Sequence, residues 1–316
     1  MELQTRIEQH SARIAVIGQG YVGLPLALAF AQVGFTVTGI EVDLDRVEAL
    51  NHAVSHIGDV QSATLQALIT AGRYHATTEM AELADNDAIL ICVPTPLRKS
   101  KDPDISFVLA AAAEVKTYLR PGQLVILEST TYPGTTEELL LQLFTEGGLT
   151  VGQEFYLAFS PERIDPGNPH FHVRDTPKIV GGVTPTCAAL AALLYGQIVT
   201  QVLPVSSPTV AELAKLYENT FRSVNIALAN EFALMCAHLG VNVWEVIEAA
   251  ATKPFGFMPF APGPGIGGHC IPIDPLYLAW KLRLNGYEAR FIALADEVNR
   301  SMPGHVVNLV VDGRRG

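Results

Sequence analysis

The 316-residue sequence predicts an α/β chain, with a doubly wound parallel sheet over residues 1–205 followed by a mainly α-helical domain over 206–301. Three observations carry this expectation. From Arg13 short β-branched runs alternate with Ala/Leu-rich stretches; a glycine-rich turn, Gly18-Gln-Gly-Tyr-Val-Gly23, separates the first run from the first helical stretch; and at Ser206 the alternation gives way to a long unbroken helical pattern.

Strands are expected at Ile14–Ile17, Thr36–Ile40, Ala88–Cys92, Leu124–Leu127, Phe155–Ala158 and Lys178–Val180, with helices between them over 21–33, 104–118 and 134–145. The runs are apolar at nearly every position, so both faces of each strand are buried, as in a parallel sheet covered by helices on both sides. Thr209 with Glu212 three residues on reads as a capping box, and no proline or glycine follows until Gly240. That spacing predicts one helix over 209–239, about 30 residues and roughly 45 Å long. Further helices are expected at 242–251 and 275–286, and residues 302–316 read as the start of another element and of a further domain.

A net charge of −11 leaves no Lys/Arg stripe to neutralise a run of phosphates, so no nucleic acid is expected as a partner. Cys92, Cys187, Cys236 and Cys270 lack metal-like spacing, so neither a metal site nor a disulfide framework is expected, and reduced thiols fit a cytoplasmic protein. The N-terminus lacks an apolar signal core, and no uncharged run reaches the ~18 residues of a membrane span. No membrane partner is expected.

The glycine turn follows a strand and opens a helix, the context in which G-x-G-x-x-G points to a Rossmann-like dinucleotide site. Gly18 allows the tight turn, Gly20 lets backbone amides approach a pyrophosphate, and Gly23 allows close helix packing; Tyr21 and Val22 lie within the loop. Glu41 ends the second strand, where a carboxylate accepts hydrogen bonds from a ribose diol and repels a 2′-phosphate. NAD is therefore expected over NADP, with Asp43 as the rival carboxylate and Arg46 near enough to soften the preference. Thr95 and Thr130 follow later strands and would face the nicotinamide half. Glu162 and Arg163 are adjacent opposite charges in a proline-bounded loop, Ser160-Pro-Glu-Arg-Ile-Asp-Pro-Gly167, which also fits a solvated ion pair.

The most unusual stretch is Gly263-Pro-Gly-Ile-Gly-Gly-His-Cys-Ile-Pro-Ile-Asp-Pro275, a rigid loop that carries one thiol, Cys270, and one carboxylate, Asp274. Cys270 reads either as a nucleophile or as a small apolar filler. Lys215 and Asn219 are four residues apart and share a helix face, which Arg222 extends; Lys215 could equally pair with Glu212 or Glu218. A lysine and an amide beside a thiol would stabilise an oxyanion on its adduct. With a dinucleotide site, this suggests oxidation of an aldehyde through a thioester.

Taken together, Gly18-Gln-Gly-Tyr-Val-Gly-Leu-Pro, Pro94-Thr-Pro, Glu128-Ser-Thr, Ser160-Pro-Glu-Arg, Ala214-Lys-Leu-Tyr-Glu-Asn219 and the Gly263–Pro275 loop resemble the UDP-glucose/GDP-mannose dehydrogenase family across nearly the whole chain. Ser160-Pro-Glu-Arg-Ile and Phe255-Gly-Phe-Met-Pro-Phe260 look most like its UDP-N-acetylglucosamine 6-dehydrogenases, which make uronic acids for surface polysaccharides. The resemblance implies a four-electron oxidation of a nucleotide sugar at C6, with two NAD and a Cys270 thiohemiacetal and thioester. It implies Lys215 and Asn219 at the oxyanion, and Asp274, Glu162 and Thr130 at the attacking water. Glu162, Arg163, Lys215, Asn219, Pro259, Phe260, Gly263 and Gly267 would line the substrate. It also favours a homodimer through the helix of 209–239, and family members continue into a C-terminal nucleotide-binding domain that this sequence lacks. UDP-glucose, UDP-N-acetylmannosamine or GDP-mannose as substrate, a catalytically silent NAD-binding dimerising fragment, and a β-hydroxyacid dehydrogenase that leaves Cys270 idle remain as alternatives.

Overall fold

The computed structural model describes residues 2–163, 174–268 and 270–313. Two compact units emerge, Met1–Pro96 with Asp104–Lys215, and Leu97–Pro103 with Leu216–Gly316. The division falls inside a helix, beyond the change of texture at Ser206.

The first unit runs α1 (Glu2–Glu8), β1 (Arg13–Ile17), α2 (Gly23–Gln32), β2 (Thr36–Ile40), α3 (Leu44–Asn51), α4 (Ser62–Thr70), β3 (Tyr74–Thr77), β4 (Ala88–Ile91), α5 (Ser106–Tyr118), β5 (Leu124–Leu127), α6 (Leu141–Thr145), β6 (Tyr156–Phe159), β7 (Lys178–Gly182), α7 (Pro185–Tyr195) and β8 (Val202–Val205). The strands form one sheet in the order β3-β2-β1-β4-β5-β6-β7-β8. Two apolar cores cover its faces, one built with α1, α2 and α7 and the other with α5, α6 and Ala211. Strands β4 and β5, apolar throughout, and β1 beyond Arg13 need cover on both sides, and this arrangement supplies it.

The sheet departs from the sequence-based expectation in three ways. Strand β3, whose buried Tyr74 and Ala76 alternate with half-buried residues, adds an edge beside β2, and β8 adds the opposite edge. Pro204 in β8 is tolerated because an edge strand leaves one side without ladder bonds. The sheet is not wholly parallel, since β7 pairs antiparallel with β6. There Gly181 and Gly182 are required by contact: a Cβ would lie 2.2 Å from the Ser207 carbonyl oxygen at the first and 2.1 Å from the Ala188 nitrogen at the second.

Register aligns the strand ends. Ile17 pairs with Ile40 and Ile91, and Leu127 with Ile91 and Phe159. Gly18, Glu41, Cys92, Glu128 and Ser160 therefore leave the sheet along one carboxyl edge, and the strand order reverses between β1 and β4, where ligands of open α/β sheets bind.

Helix α8 (Pro208–Leu239) begins in the first unit and continues into the second. The expected Thr209–Glu212 capping box does not form. Ser207 Oγ accepts from the Val210 amide, Thr209 donates to Glu137 at 2.7 Å, and Glu212 is buried and turned toward another loop. Gly240, with φ +67°, ends the helix as expected.

The second unit adds α9 (Val243–Ala251), α10 (Asp274–Leu284) and α11 (Arg290–Gly313). Residues 302–313 lie in α11, which runs on through Pro303. The Leu97–Pro103 segment is tied to α11 by Lys101 and Asp296, 2.9 Å apart. No helix among the described residues is long and apolar enough to cross a membrane.

Candidate active site

The glycine turn separates the demands of the fold from those of a ligand. A Cβ on Gly18 (φ +90°) would lie 2.5 Å from the Cys92 carbonyl oxygen, and one on Gly23 only 1.8 Å from that of Gly18. A Cβ on Gly20 meets nothing within 4 Å. Packing thus accounts for the outer glycines, while Gly20 leaves open space at the start of α2 where an anionic group would meet the helix N-terminus. Tyr21 is exposed and Val22 half-buried there. The residues present fit a dinucleotide pyrophosphate.

Glu41 is buried at the end of β2, and its carboxylate accepts the amides of Gln19, Val42 and Asp43 at 3.2, 2.9 and 3.3 Å. It is thereby locked beside the glycine turn. The rival, Asp43, caps α3 by accepting from the Arg46 amide. Arg46 is exposed, and its guanidinium lies 3.8 Å from Glu41 and 3.4 Å from Asp43.

Thr95 is buried after β4 and Thr130 is half-buried after β5. The two loops are joined by Ser129, whose hydroxyl donates to the Val93 carbonyl at 2.8 Å. Glu212 fixes the continuation, accepting from the amides of Gly134 and Thr136 at 2.5 and 3.0 Å and from the Thr136 hydroxyl at 2.7 Å. Burial pushes its carboxyl above the usual range against these hydrogen bonds.

Farther along the same edge is a buried charged cluster that sequence reasoning missed. Lys178 Nζ, at the head of β7, lies 2.7 Å from Glu128 Oε2 and 3.3 Å from Glu162 Oε2. Tyr195, ending α7, donates its hydroxyl to Glu128 Oε1, and its ring centroid is 5.1 Å from Nζ. Burial pushes Glu128 up to about 7 with Lys178 opposing, and pushes the Cys92 thiol and Tyr195 hydroxyl well up. Glu162 is thus paired with Lys178, while Arg163 donates its guanidinium to the Pro177 carbonyl at 2.7 Å. The rest of that loop, 164–167, lies outside the described residues. The only signal available in the sequence was a lysine opening an otherwise apolar strand; its partners lie 50 and 16 positions away.

In the second unit the amide of Asn219 donates to Asp274 Oδ2 at 2.6 Å, and both are buried. The Cys270 carbonyl accepts from the amides of Ile273 and Asp274 at 3.0 and 2.9 Å, so the turn carrying the thiol opens α10. Cys270 is exposed, whereas Cys92, Cys187 and Cys236 are buried. The glycine-proline loop is anchored by amides: Gly263 donates to Asn230 Oδ1, Asn230 to Asn299 Oδ1, and Asn299 to the Ser223 carbonyl. Phe260 packs edge-on against Phe221, Pro259 is exposed, and Gly267 stands in open space; His269 lies outside the described residues.

On α8, Lys215 is 8% exposed and has no hydrogen-bond or ion-pair partner among the described residues. Neither of its expected alternative partners holds it, and Glu212 is committed to the 134–136 turn. Arg222, expected on the same face, is exposed.

Residues 12–199 match the UDP-glucose/GDP-mannose dehydrogenase family, NAD binding domain, and residues 209–301 match the central domain of that family. The chain is 39% identical over 301 residues to the UDP-N-acetyl-D-mannosamine dehydrogenase of Pyrococcus horikoshii, covering 95% of this chain and 71% of that one. It is 38% identical over 301 residues to the UDP-N-acetyl-D-glucosamine 6-dehydrogenase of Pseudomonas aeruginosa, covering 95% and 70%. A solved structure of the UDP-D-ManNAc dehydrogenase from Pyrococcus horikoshii superposes with a TM-score of 0.88 at 40% identity, covering 95% of this chain and 71% of that one.

Proposed function

The chain belongs to the UDP-glucose/GDP-mannose dehydrogenase family and carries its NAD-binding domain, and from that premise we propose that it oxidises the C6 hydroxyl of a UDP-N-acetylhexosamine to a carboxylate through a covalent adduct on Cys270. The observation that carries this reading is Lys215, a buried lysine with no partner among the described residues. Sequestering an ammonium without a counter-group is costly, which argues for a partner supplied by substrate.

NAD, when bound, accepts a hydride at each of two oxidations. In the first the C6 alcohol becomes an aldehyde with loss of one hydride and one proton. The Cys270 sulfur then bonds to C6 and its proton passes to the oxygen, giving a thiohemiacetal. Loss of a second hydride and proton leaves a thioester, and water cleaves its C–S bond, returning the thiol and releasing the carboxylic acid.

The residue roles are those the family resemblance implies, and each fits the charge and hydrogen-bonding capacity of its side chain. Lys215 and the second amide hydrogen of Asn219 stabilise oxygen as it gains negative charge, and Asp274 holds Asn219 in place. Glu162, with Thr130 and Asp274, orients the attacking water and takes its proton. Phe260, Pro259, Gly263 and Gly267 border the sugar and phosphates, and Arg163 meets the N-acetyl or diphosphate part. The relatives named above act on both gluco- and manno-configured sugars, so the reading stops at the N-acetylhexosamine class; UDP-N-acetylglucosamine is the first substrate to try. Such products feed surface polysaccharide synthesis.

We also propose a homodimer through α8. Leu228, Phe232, Met235 and Leu239 are exposed along one face of the helix at spacings of three to four, an apolar stripe of the kind a twofold copy covers.

The test is NADH yield from the 316-residue chain with UDP-N-acetylglucosamine, UDP-N-acetylmannosamine and UDP-glucose. Two NADH per N-acetylated sugar are expected, with Cys270→Ser unable to give the second. One NADH per sugar, or full yield from Cys270→Ser, overturns the thioester route.

A further inference from the structure

The buried cluster at the carboxyl edge of the first unit has a polarity that a structural ion pair does not require. Lys178 and Glu128 are 5% and 2% exposed and Tyr195 is fully buried, whereas the Glu162 side chain retains 16% exposure. Three groups therefore form a sequestered base from which one carboxylate reaches outward. Two carboxylates share a single ammonium, and Nζ is nearer Glu128 than Glu162. Burying such a set is no route to stability, because apolar residues of similar volume serve as well or better.

The groups facing Glu128 come from four elements: Lys178 from β7, Tyr195 from α7, Glu162 from the loop after β6, and Cys92 from the end of β4. Cys92 and Tyr195 are kept neutral by burial, so among the described residues the charges acting on Glu128 are those of Lys178 and Glu162. The Glu162 carboxylate is further constrained by the Arg163 amide, which donates to Oε1 at 2.6 Å, and Arg163 in turn grips the Pro177 carbonyl beside Lys178.

We propose that Lys178 is a positioning residue for Glu162, and that Glu128, clamped by Lys178 and Tyr195, sets how much of the Lys178 charge Glu162 receives. The inference rests on Glu162 acting on the attacking water. With Glu128 ionised, the ammonium is shared and Glu162 is the stronger base; with Glu128 protonated, Lys178 serves Glu162 alone and weakens it as a base. Burial holds Glu128 at about 7, which puts the change near neutral pH.

The experiment uses the full chain labelled with ¹³Cδ-glutamate. The Glu162 signal is assigned by its loss in Glu162→Gln, and its titration is followed in wild type, Lys178→Met, Lys178→Arg and Glu128→Gln. Lys178→Met should raise the Glu162 midpoint by about one unit or more, because a cation within ~4 Å lowers a carboxylate pKa by 1–3 units. Lys178→Arg should restore it, and Glu128→Gln should leave that midpoint in place, since Glu128 is already protonated there, but remove the step that Glu128 ionisation near pH 7 puts in the wild-type Glu162 signal. In NADH assays Lys178→Met should lose about tenfold in kcat with the sugar KM held within about threefold, and Glu128→Gln should lose the rise in kcat that wild type shows as pH passes through about 7. Circular dichroism and NAD affinity check the fold; should Lys178→Met fail it, Lys178→Arg and Glu128→Gln decide alone. A step near pH 7 in the Glu162 signal that is absent from wild type, or that persists in Glu128→Gln, overturns the inference. An unchanged NADH yield and rate in Glu162→Gln overturns instead the role of Glu162 on which it rests.

Discussion

Asn219 donates its side-chain amide to the Asp274 carboxylate across 2.6 Å, joining α8 to the first residue of α10, just after the turn that carries Cys270. The amide is held with one hydrogen committed and the other available. Replacing Asn219 by Ala removes a donor from a buried carboxylate and should lower unfolding free energy by about 1–3 kcal/mol in urea titrations. The same variant should leave NAD affinity unchanged while NADH production falls about a hundredfold or more. Wild-type turnover would remove Asn219 from the oxyanion role.

Glu212 is a loop anchor and not a helix cap. Glu212→Gln should lower unfolding free energy by about 2 kcal/mol, since an NH₂ group would oppose the Gly134 or Thr136 donors. Thr209→Val should cost less, and Ser207→Ala about 0.5–1 kcal/mol as the capping oxygen is lost. A larger loss from Thr209→Val than from Glu212→Gln would reinstate the capping box.

The glycines of the first turn should divide by assay. Gly20→Ala should melt within about 2 °C of wild type yet bind NAD at least tenfold more weakly, because its methyl occupies ligand space and not protein. Gly18→Ala and Gly23→Ala should each lose about 3 kcal/mol or more, having backbone oxygens 2.5 and 1.8 Å from the new carbon. Equal NAD affinity in Gly20→Ala and wild type would contradict the division.

Cofactor choice should follow the Glu41–Arg46 pairing. Glu41→Gln removes the carboxylate that repels a 2′-phosphate and loosens Arg46, leaving Asp43 as its remaining acid. Calorimetry should show NAD weakened about tenfold and the NAD/NADP preference narrowed by more than that factor. An unaltered ratio would place the discrimination elsewhere.

Stability should depend on pH through Glu128. Its folded pKa, about 7, is raised above the unfolded value of 4.5, so its contribution is complete below 4.5 and is lost as pH rises through 7. The lost portion is on the order of 3 kcal/mol. Urea titrations at several pH values should show wild type losing stability relative to Glu128→Gln between pH 4.5 and 7.5. Parallel curves for the two proteins would mean that Glu128 does not titrate in this range.

Much of the first unit was legible because local pattern and burial agree there. Strands such as Leu124–Leu127, apolar at every position, identify themselves, and Gly18 to Gly23 sit where a strand must turn into a helix. Strand β3 was not legible, since Tyr74-His-Ala-Thr77 is short and half polar and forms only because β2 presents an open edge. The antiparallel turn of β7 was not legible either, as residue pattern along a buried strand carries no direction.

The sequence by itself determined the doubly wound class, the glycine turn with Glu41 at the end of the next strand, the long helix carrying Lys215 and Asn219, and Cys270 in its glycine-proline loop. These are local matters: periodicity, turn chemistry and i,i+4 spacing depend on near neighbours in the chain. Only the tertiary structure decided which charge meets which. It turned Glu212 from a cap into the anchor of the 134–136 turn, bound Arg46 to two acids, gave Glu162 to Lys178, and left Lys215 unpartnered among the described residues. Ion pairs and buried hydrogen bonds are set by distance and desolvation in space, and positions 50 or 67 apart in the chain give no local sign that they will share a proton or a charge.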